Sequence, residues 1–207
     1  MQTKKLRRFA AVALTLALAA MLTVSASAAT WNNIVNGKLQ ITYTMYDVNQ
    51  ASSVTSLSRE IPCGIGYWGA LSQISCTYVD FMFESFSTEG VMVHTTPSES
   101  YWSQIVLGNN GTAGYTMVYD INGNNISSYL ENSNGVRIKN AVVYYNPLEN
   151  AFDGFTMYNF RSLVAHETGH GIGMVHQPNA VMTSGRLSYA ALTSNDISAF
   201  KALYGFN

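Results

Sequence analysis

Apolar and polar residues alternate along residues 39–46, which is the spacing of a β-strand with one buried face. Further runs bounded by turn residues predict four more strands, at residues 90–95, 114–121, 125–130 and 136–145. Asn122-Gly123 and Asn134-Gly135 separate the last three runs, and Asn-Gly between such runs is the strongest short signal for a β-hairpin. The pattern therefore predicts a sheet whose later strands form a meander.

Residues 62–74 show the helical spacing instead. Ile65, Trp68 and Leu71 recur at intervals of three and would share one buried face. Pro62 is suited to the first position of such a helix, because a proline there loses no hydrogen bond. The polar segments at residues 50–60, 96–104 and 146–156 are predicted to be loops.

Two further helices are predicted in the last third of the chain. The first begins near Met157. The second begins where Thr193 and Asp196 form a capping-box-like start, and it ends at Gly205. Its apolar face comprises Ile197, Phe200, Leu203 and Tyr204. Strands followed by helices predict one α+β domain over residues 29–207, with a mostly mixed sheet and a small C-terminal part.

The helix that begins near Met157 contains the spacing H-E-x-x-H-x-x-G-x-x-H at residues 166–176. Residues four apart on a helix share a face, so His166 and His170 can bind one ion. A continuing helix would turn His176 away, and Gly173 can adopt the left-handed conformation that bends the chain back. Three imidazoles predict a zinc site whose fourth position is open to water, the pattern of a catalytic centre.

Glu167 points about 100° around the helix from His166, so it is poorly placed as a fourth ligand. It is well placed to accept a proton from the attacking water and to pass it to a leaving amine. Zinc lowers the pKa of a bound water to about 7 and polarises a carbonyl. These residues predict a zinc endopeptidase, and the open alternative is a catalytically silent, zinc-stabilised extracellular binding module.

The motif, with Leu163-Val164-Ala165 before it and Asn179-Ala180-Val181-Met182 after it, resembles the metzincin metallopeptidases, and among them the matrixin-like secreted enzymes of bacteria. The resemblance is close over residues 160–205 and loose over residues 35–155. It implies a metzincin catalytic fold, with Met182 as the buried methionine beneath the zinc and structural Ca²⁺ as a further cofactor. Ser184 stands where astacins and serralysins have a tyrosine, so a tyrosine ligand is not expected.

Residues 1–28 have the composition of a secretory signal peptide. Four basic residues precede an apolar stretch at residues 9–24, and Ala26-Ser27-Ala28 matches a small-x-small cleavage site. Cleavage after Ala28 would leave 179 residues, a normal size for one domain. We therefore expect secretion to the extracellular space. The alternative is an uncleaved membrane anchor, for which the apolar stretch is short.

Charge narrows the expected partners. After cleavage, seven basic residues would stand against twelve acidic residues, a net charge of −5. This balance argues against nucleic acid and anionic membranes as partners. A protein or peptide substrate is the expected partner, and the chain is expected to be a monomer.

The chain contains two cysteines, Cys63 and Cys76. If the helix over residues 62–74 is continuous, it separates them by about 20 Å, whereas a disulfide tolerates about 7 Å between Cα atoms. We therefore predict no bond between them, although a bent or shorter helix would allow one.

Asp120, Asn122, Asn124 and Glu131 have the spacing of an EF-hand calcium loop. The sixth position is Asn125 where that loop requires glycine, and no helices are predicted on either side. We interpret the segment as a hairpin turn. Calcium is thus implied by the family resemblance alone.

Overall fold

The computed structural model describes residues 29–48, 57–80, 86–107, 111–132, 135–148 and 150–207. The predicted signal peptide and most of the predicted loop at residues 50–60 lie outside these ranges. The described elements, in chain order, are β1 (Thr30–Trp31), β2 (Ile34–Val35), β3 (Lys38–Tyr46), α1 (Leu57–Gly69), β4 (Ile74–Tyr78), β5 (Val91–Thr95), α2 (Glu99–Ile105), β6 (Gly114–Asp120), a 3₁₀ helix (Ser127–Asn132), β7 (Arg137–Tyr145), α3 (Met157–Gly171) and α4 (Ser194–Tyr204).

The strands form one mixed sheet, so the predicted α+β class is confirmed. The long strands lie in the order β4-β3-β5-β7-β6. The first four are parallel, and β6 runs antiparallel to β7. Adjacent parallel strands need a crossover connection, and α1 provides it between β3 and β4. The short strands β1 and β2 extend the sheet beside the beginnings of β7 and β3.

Alternate residues of β5, β6 and β7 contribute to two separate hydrophobic clusters. Met92 on β5 belongs to the larger cluster, which contains the buried faces of α1, α3 and α4. Its neighbours Val91 and Val93 belong to the smaller cluster, which Trp102 of α2 completes on the opposite face. Because successive side chains of a strand point to opposite faces, α2 lies across the sheet from the helices of the larger core.

Several predicted elements agree with the structure. The strands predicted at residues 39–46, 90–95, 114–121 and 136–145 correspond to β3, β5, β6 and β7. The helix predicted near Met157 begins at that residue, and α4 begins after Thr193 with a complete capping box. Gly205 ends α4 in the left-handed conformation, with φ +68°.

Two predictions were wrong, one on each face of the sheet, since Trp102 belongs to the smaller cluster and Ile126 to the larger one. Most of α2 lies within residues 96–104, where a loop was predicted, because the Ser98 side chain caps the helix at the amide of Tyr101 and Trp102 is fully buried. The predicted strand at residues 125–130 is replaced by one β-bridge at Asn125 and the 3₁₀ helix. There Ser127 Oγ accepts a hydrogen bond from the Val118 amide at 2.8 Å, so a side chain takes the place of a ladder carbonyl.

The helix predicted over residues 62–74 is displaced. It spans Leu57–Gly69, with Pro62 inside it, and residues 57–60 are therefore helical where a loop was predicted. Ile74 belongs to β4 because it pairs in parallel register with Leu39. A spacing of apolar residues does not reveal such a pairing between distant segments.

Cys63 is exposed on α1, Cys76 lies in β4, and both are free. The continuous helix on which the prediction of no disulfide depended is absent, because the helix ends at Gly69 and Cys76 lies in a strand. Within the described ranges, no helix is both long enough and apolar enough to cross a bilayer.

Candidate metal centre

The three histidines of the motif lie together beside one end of α3. Their candidate ligand nitrogens all lie within 4.8 Å of one another. His166 and His170 are one helical turn apart on α3, and their Nε2 atoms are 3.0 Å apart. The start of α3 is fixed by Thr156, whose side chain accepts a hydrogen bond from the Asn159 amide. This cluster resembles the metzincin arrangement of the motif.

Gly173 makes the bend that returns the chain to the cluster after α3 ends. Its φ is +88°, a left-handed conformation that residues with a side chain rarely adopt. A Cβ at this position would overlap the carbonyl oxygen of Ala29. Conformation and close packing therefore both require glycine, and the ring centre of His176 comes to 4.9 Å from that of His170.

Backbone carbonyls orient two of the imidazole rings. His166 Nδ1 lies 2.8 Å from the carbonyl oxygen of Val181, and His170 Nδ1 lies 2.9 Å from that of Met174. A carbonyl oxygen only accepts hydrogen bonds, so each Nδ1 is the protonated donor. When the rings are neutral, each Nε2 atom is then unprotonated, and its lone pair points into the cluster.

Burial, together with the neighbouring His166 and His176, lowers the pKa of His170 to about 3, against the opposing effect of the Met174 carbonyl. The ring is therefore neutral at pH 7. A neutral imidazole is the form that binds metal.

Glu167 lies beside the histidines and is buried, with 5% of its surface exposed. Thr116 Oγ1 donates to Glu167 Oε2 at 2.6 Å. Burial raises the pKa of Glu167, while His166 and the Thr116 hydrogen bond oppose the shift. Gly114 leaves room for the side chain, because a Cβ there would lie 2.9 Å from Glu167 Cγ. Strand β6 thus sets the position of the carboxylate.

Met182 is fully buried directly under α3. A Cβ at Gly169 would overlap its sulfur atom, so the glycine allows the methionine to approach the helix between His166 and His170. Asp196 accepts hydrogen bonds from the amides of Val181 and Met182, at 3.0 and 3.1 Å. The first turn of α4 therefore holds the segment whose Val181 carbonyl orients His166.

A cavity of about 900 Å³ opens over the cluster. Its lining includes Glu167 and the three histidines, the beginning of β6, and the segment that contains Ser184. Arg186 also lines it, and its guanidinium lies 4.4 Å from the centre of the Phe155 ring. The cavity is large enough for several residues of an extended peptide.

Asp120 belongs to a hydrogen-bonded turn rather than to a helix-flanked loop. Its Oδ1 accepts from the amides of Asn122 and Asn124, and its Oδ2 accepts from the Asn124 side chain. Gly123 follows with φ +82°. Calcium binding by this chain stays a prediction that rests on the resemblance.

Sequence reasoning missed the residues that support the site from other elements. Thr116 is a buried polar residue at an inward position of a strand. In the sequence this is only a weak indication of a functional role, and the contact with Glu167 becomes visible only in the structure. Asp196 was recognised as a helix cap, but not as the acceptor for the Met182 segment. Comparison with models of known protein families and with curated proteins gave no match.

Proposed function

We propose that this chain is a secreted zinc-dependent endopeptidase of the matrixin-like metzincin type. The observation that carries the proposal is the approach of His166 Nε2 to His170 Nε2 at 3.0 Å. Both nitrogens are lone-pair acceptors when the rings are neutral, so they repel each other unless a cation lies between them. Zn²⁺ with ligands at 2.0–2.1 Å in tetrahedral geometry separates two nitrogens by about 3.3–3.4 Å, close to this spacing.

His166, His170 and His176 would hold the zinc. The ion, when bound, would lower the pKa of a coordinated water to about 7 and polarise the scissile carbonyl. The candidate ligand set contains three residues, which is the pattern of catalytic rather than structural zinc sites. The metal thus fits the donors that the chain offers.

Glu167 would act as the general base. Burial raises the pKa of its carboxyl, which makes it a better proton acceptor than an exposed glutamate. Thr116 occupies Oε2 by donating to it, and this hydrogen bond fixes the rotamer of the side chain. Glu167 takes a proton from the attacking water and delivers it to the nitrogen of the leaving amine, so the carboxylate is regenerated in each cycle.

The substrate is proposed to be an extended peptide that lies along the beginning of β6. Gly114, Tyr115 and Thr116 line the cavity, and β6 is the antiparallel strand that follows β7 in the order of the sheet. β6 is thus the last strand in that order. Extended peptides bind strands at the edge of a sheet through main-chain hydrogen bonds, largely independent of the side chains of the peptide. This supports cleavage within protein chains rather than of one small molecule.

The decisive experiment uses residues 29–207 loaded with one equivalent of Zn²⁺ and a denatured protein as substrate. Glu167→Gln is expected to keep the metal and to lose about 10²–10⁴ in kcat, the usual contribution of a general base. His170→Ala is expected to lose zinc as well as hydrolysis, because three ligands are reduced to two.

Two results would contradict the proposal. One is a Glu167→Gln variant that hydrolyses as fast as the parent. The other is a parent that binds zinc and shows no hydrolysis that a chelator abolishes and added zinc restores. The second result would favour a zinc-stabilised binding module.

N-terminal sequencing of exported protein would test secretion, since a start at Ala29 is expected.

A further inference from the structure

The carbonyl groups at the end of α3 have two kinds of hydrogen-bond donor. The last four carbonyls of an α-helix have no partner within the helix itself. Amides of the following turn donate to the carbonyls of Thr168, Gly169 and His170, at 2.8–3.2 Å. The next two carbonyls, those of Gly171 and Ile172, accept side-chain hydrogen bonds from residues distant in sequence.

Trp31 Nε1 donates to the Gly171 carbonyl at 2.6 Å, and the Tyr204 hydroxyl donates to the Ile172 carbonyl at 2.6 Å. The same hydroxyl accepts from the backbone amide of Trp31 at 3.3 Å. Trp31 is buried in β1, and Tyr204 is the last residue of α4. The first strand and the last helix therefore meet at the two peptide groups that follow His170.

These two peptide groups lie where the chain leaves α3 and turns towards His176. The position of His170 is set by the helix and by the Met174 carbonyl. His176 lies beyond the bend, so its position also depends on the orientation of the peptide planes before Gly173. Rotation of either plane would move Gly173 away from the Ala29 carbonyl, against which it packs closely.

We propose that Trp31 and Tyr204 are positioning residues of the metal site. They orient the peptide planes of Gly171 and Ile172, and through them they bring His176 to the two helical ligands. Neither side chain is among those that line the cavity, so neither is proposed to touch substrate. This inference rests on the metal binding in the proposed function, but it does not require that the site hydrolyse peptides.

The test compares Trp31→Phe and Tyr204→Phe with Trp68→Phe as a matched control. Trp68 is also fully buried, and its Nε1 donates to the Ala165 carbonyl of the same helix at 2.8 Å. The Ala165 carbonyl lies within α3, where it also accepts a hydrogen bond from a helix amide. Removing the indole donor in Trp68→Phe should therefore leave the bend intact. Each of the three variants thus removes one hydrogen bond from a side chain to a backbone carbonyl, at the bend in Trp31→Phe and Tyr204→Phe and within α3 in Trp68→Phe.

Zinc affinity is measured by competition with a chromophoric chelator, and coordination is followed by the visible spectrum of the Co²⁺-loaded protein. Trp31→Phe and Tyr204→Phe are each expected to raise the Kd for zinc by about tenfold, because an unsatisfied buried carbonyl shifts the bend. Their Co²⁺ spectra should differ from that of the parent. Trp68→Phe should retain the parent's Kd and spectrum.

A Tyr204→Phe variant with the parent's Kd and Co²⁺ spectrum would overturn the inference, even if Trp31→Phe does not fold. An equal loss of zinc affinity in Trp68→Phe would also overturn it, since the effect would then be general destabilisation. A parent that binds zinc tightly but does not cleave peptide bonds would instead refute the peptidase and leave the positioning role standing.

Discussion

Replacing Asp196 with asparagine should destabilise the C-terminal part of the protein and weaken metal binding together. The carboxylate is fully buried and accepts four hydrogen bonds at 2.8–3.1 Å. Oδ2 accepts from the Val181 amide and from the amide and hydroxyl of Thr193, and Oδ1 accepts from the Met182 amide. Asparagine would replace one of the two acceptor oxygens with an NH₂ group, which would face at least one of these donors and could not accept its hydrogen bond.

The least costly orientation of the asparagine leaves the Met182 amide without an acceptor and weakens the other three bonds by removing the charge. An unsatisfied buried donor costs about 1–3 kcal/mol, and bonds to a charged group are stronger than neutral ones, so the expected loss is roughly 3 kcal/mol. With a urea m-value of about 2 kcal/mol/M, the unfolding midpoint of the metal-free protein should fall by about 1.5 M.

Asn195→Ala is the control, because Asn195 is exposed on the same turn and its side chain makes one hydrogen bond, to the Pro178 carbonyl at 2.9 Å. It should change the free energy of unfolding by no more than about 0.5 kcal/mol. Zinc affinity should fall in Asp196→Asn, since the Val181 carbonyl that orients His166 lies in the segment that Asp196 holds. A midpoint equal to that of the Asn195→Ala variant would refute this reasoning.

Two further predictions concern the bend and the buried histidine of β5. Gly173→Ala should unfold the bend and raise the Kd for zinc more than 100-fold, because residue 173 has φ +88° and the new Cβ would overlap the Ala29 carbonyl. Isothermal titration with zinc measures the Kd, and a value equal to that of the parent would contradict the prediction. Burial lowers the pKa of His94 from 6.5 to about 3, so between those values the unfolded chain binds one more proton than the native protein, and stability falls as the pH falls. His94→Asn should reduce this slope by up to about 1.4 kcal/mol per pH unit, measured by urea unfolding between pH 6 and pH 4; an unchanged slope would show that His94 does not titrate on unfolding.

The elements that were predicted well, and the histidine cluster, depend on neighbours in the sequence. Helical geometry brings His166 and His170 to one face, a glycine allows the turn after them, and the Thr193–Asp196 cap uses residues three apart. Segments whose structure depends on distant partners were predicted poorly. Residues 125–130 form no strand because Ser127 bonds to Val118, and Ile74 leaves the predicted helix because it pairs with Leu39.

The surroundings of the candidate metal centre depend on contacts between residues that are far apart in the chain. Thr116 reaches Glu167 across 51 positions, and Trp31 reaches Gly171 across 140. Spacing along a chain specifies which side chains share a turn or a face, because covalent geometry sets those distances. Which strand lies behind a carboxylate, and which indole meets the end of a helix, follows from how the whole core packs, and no short stretch of residues carries that information.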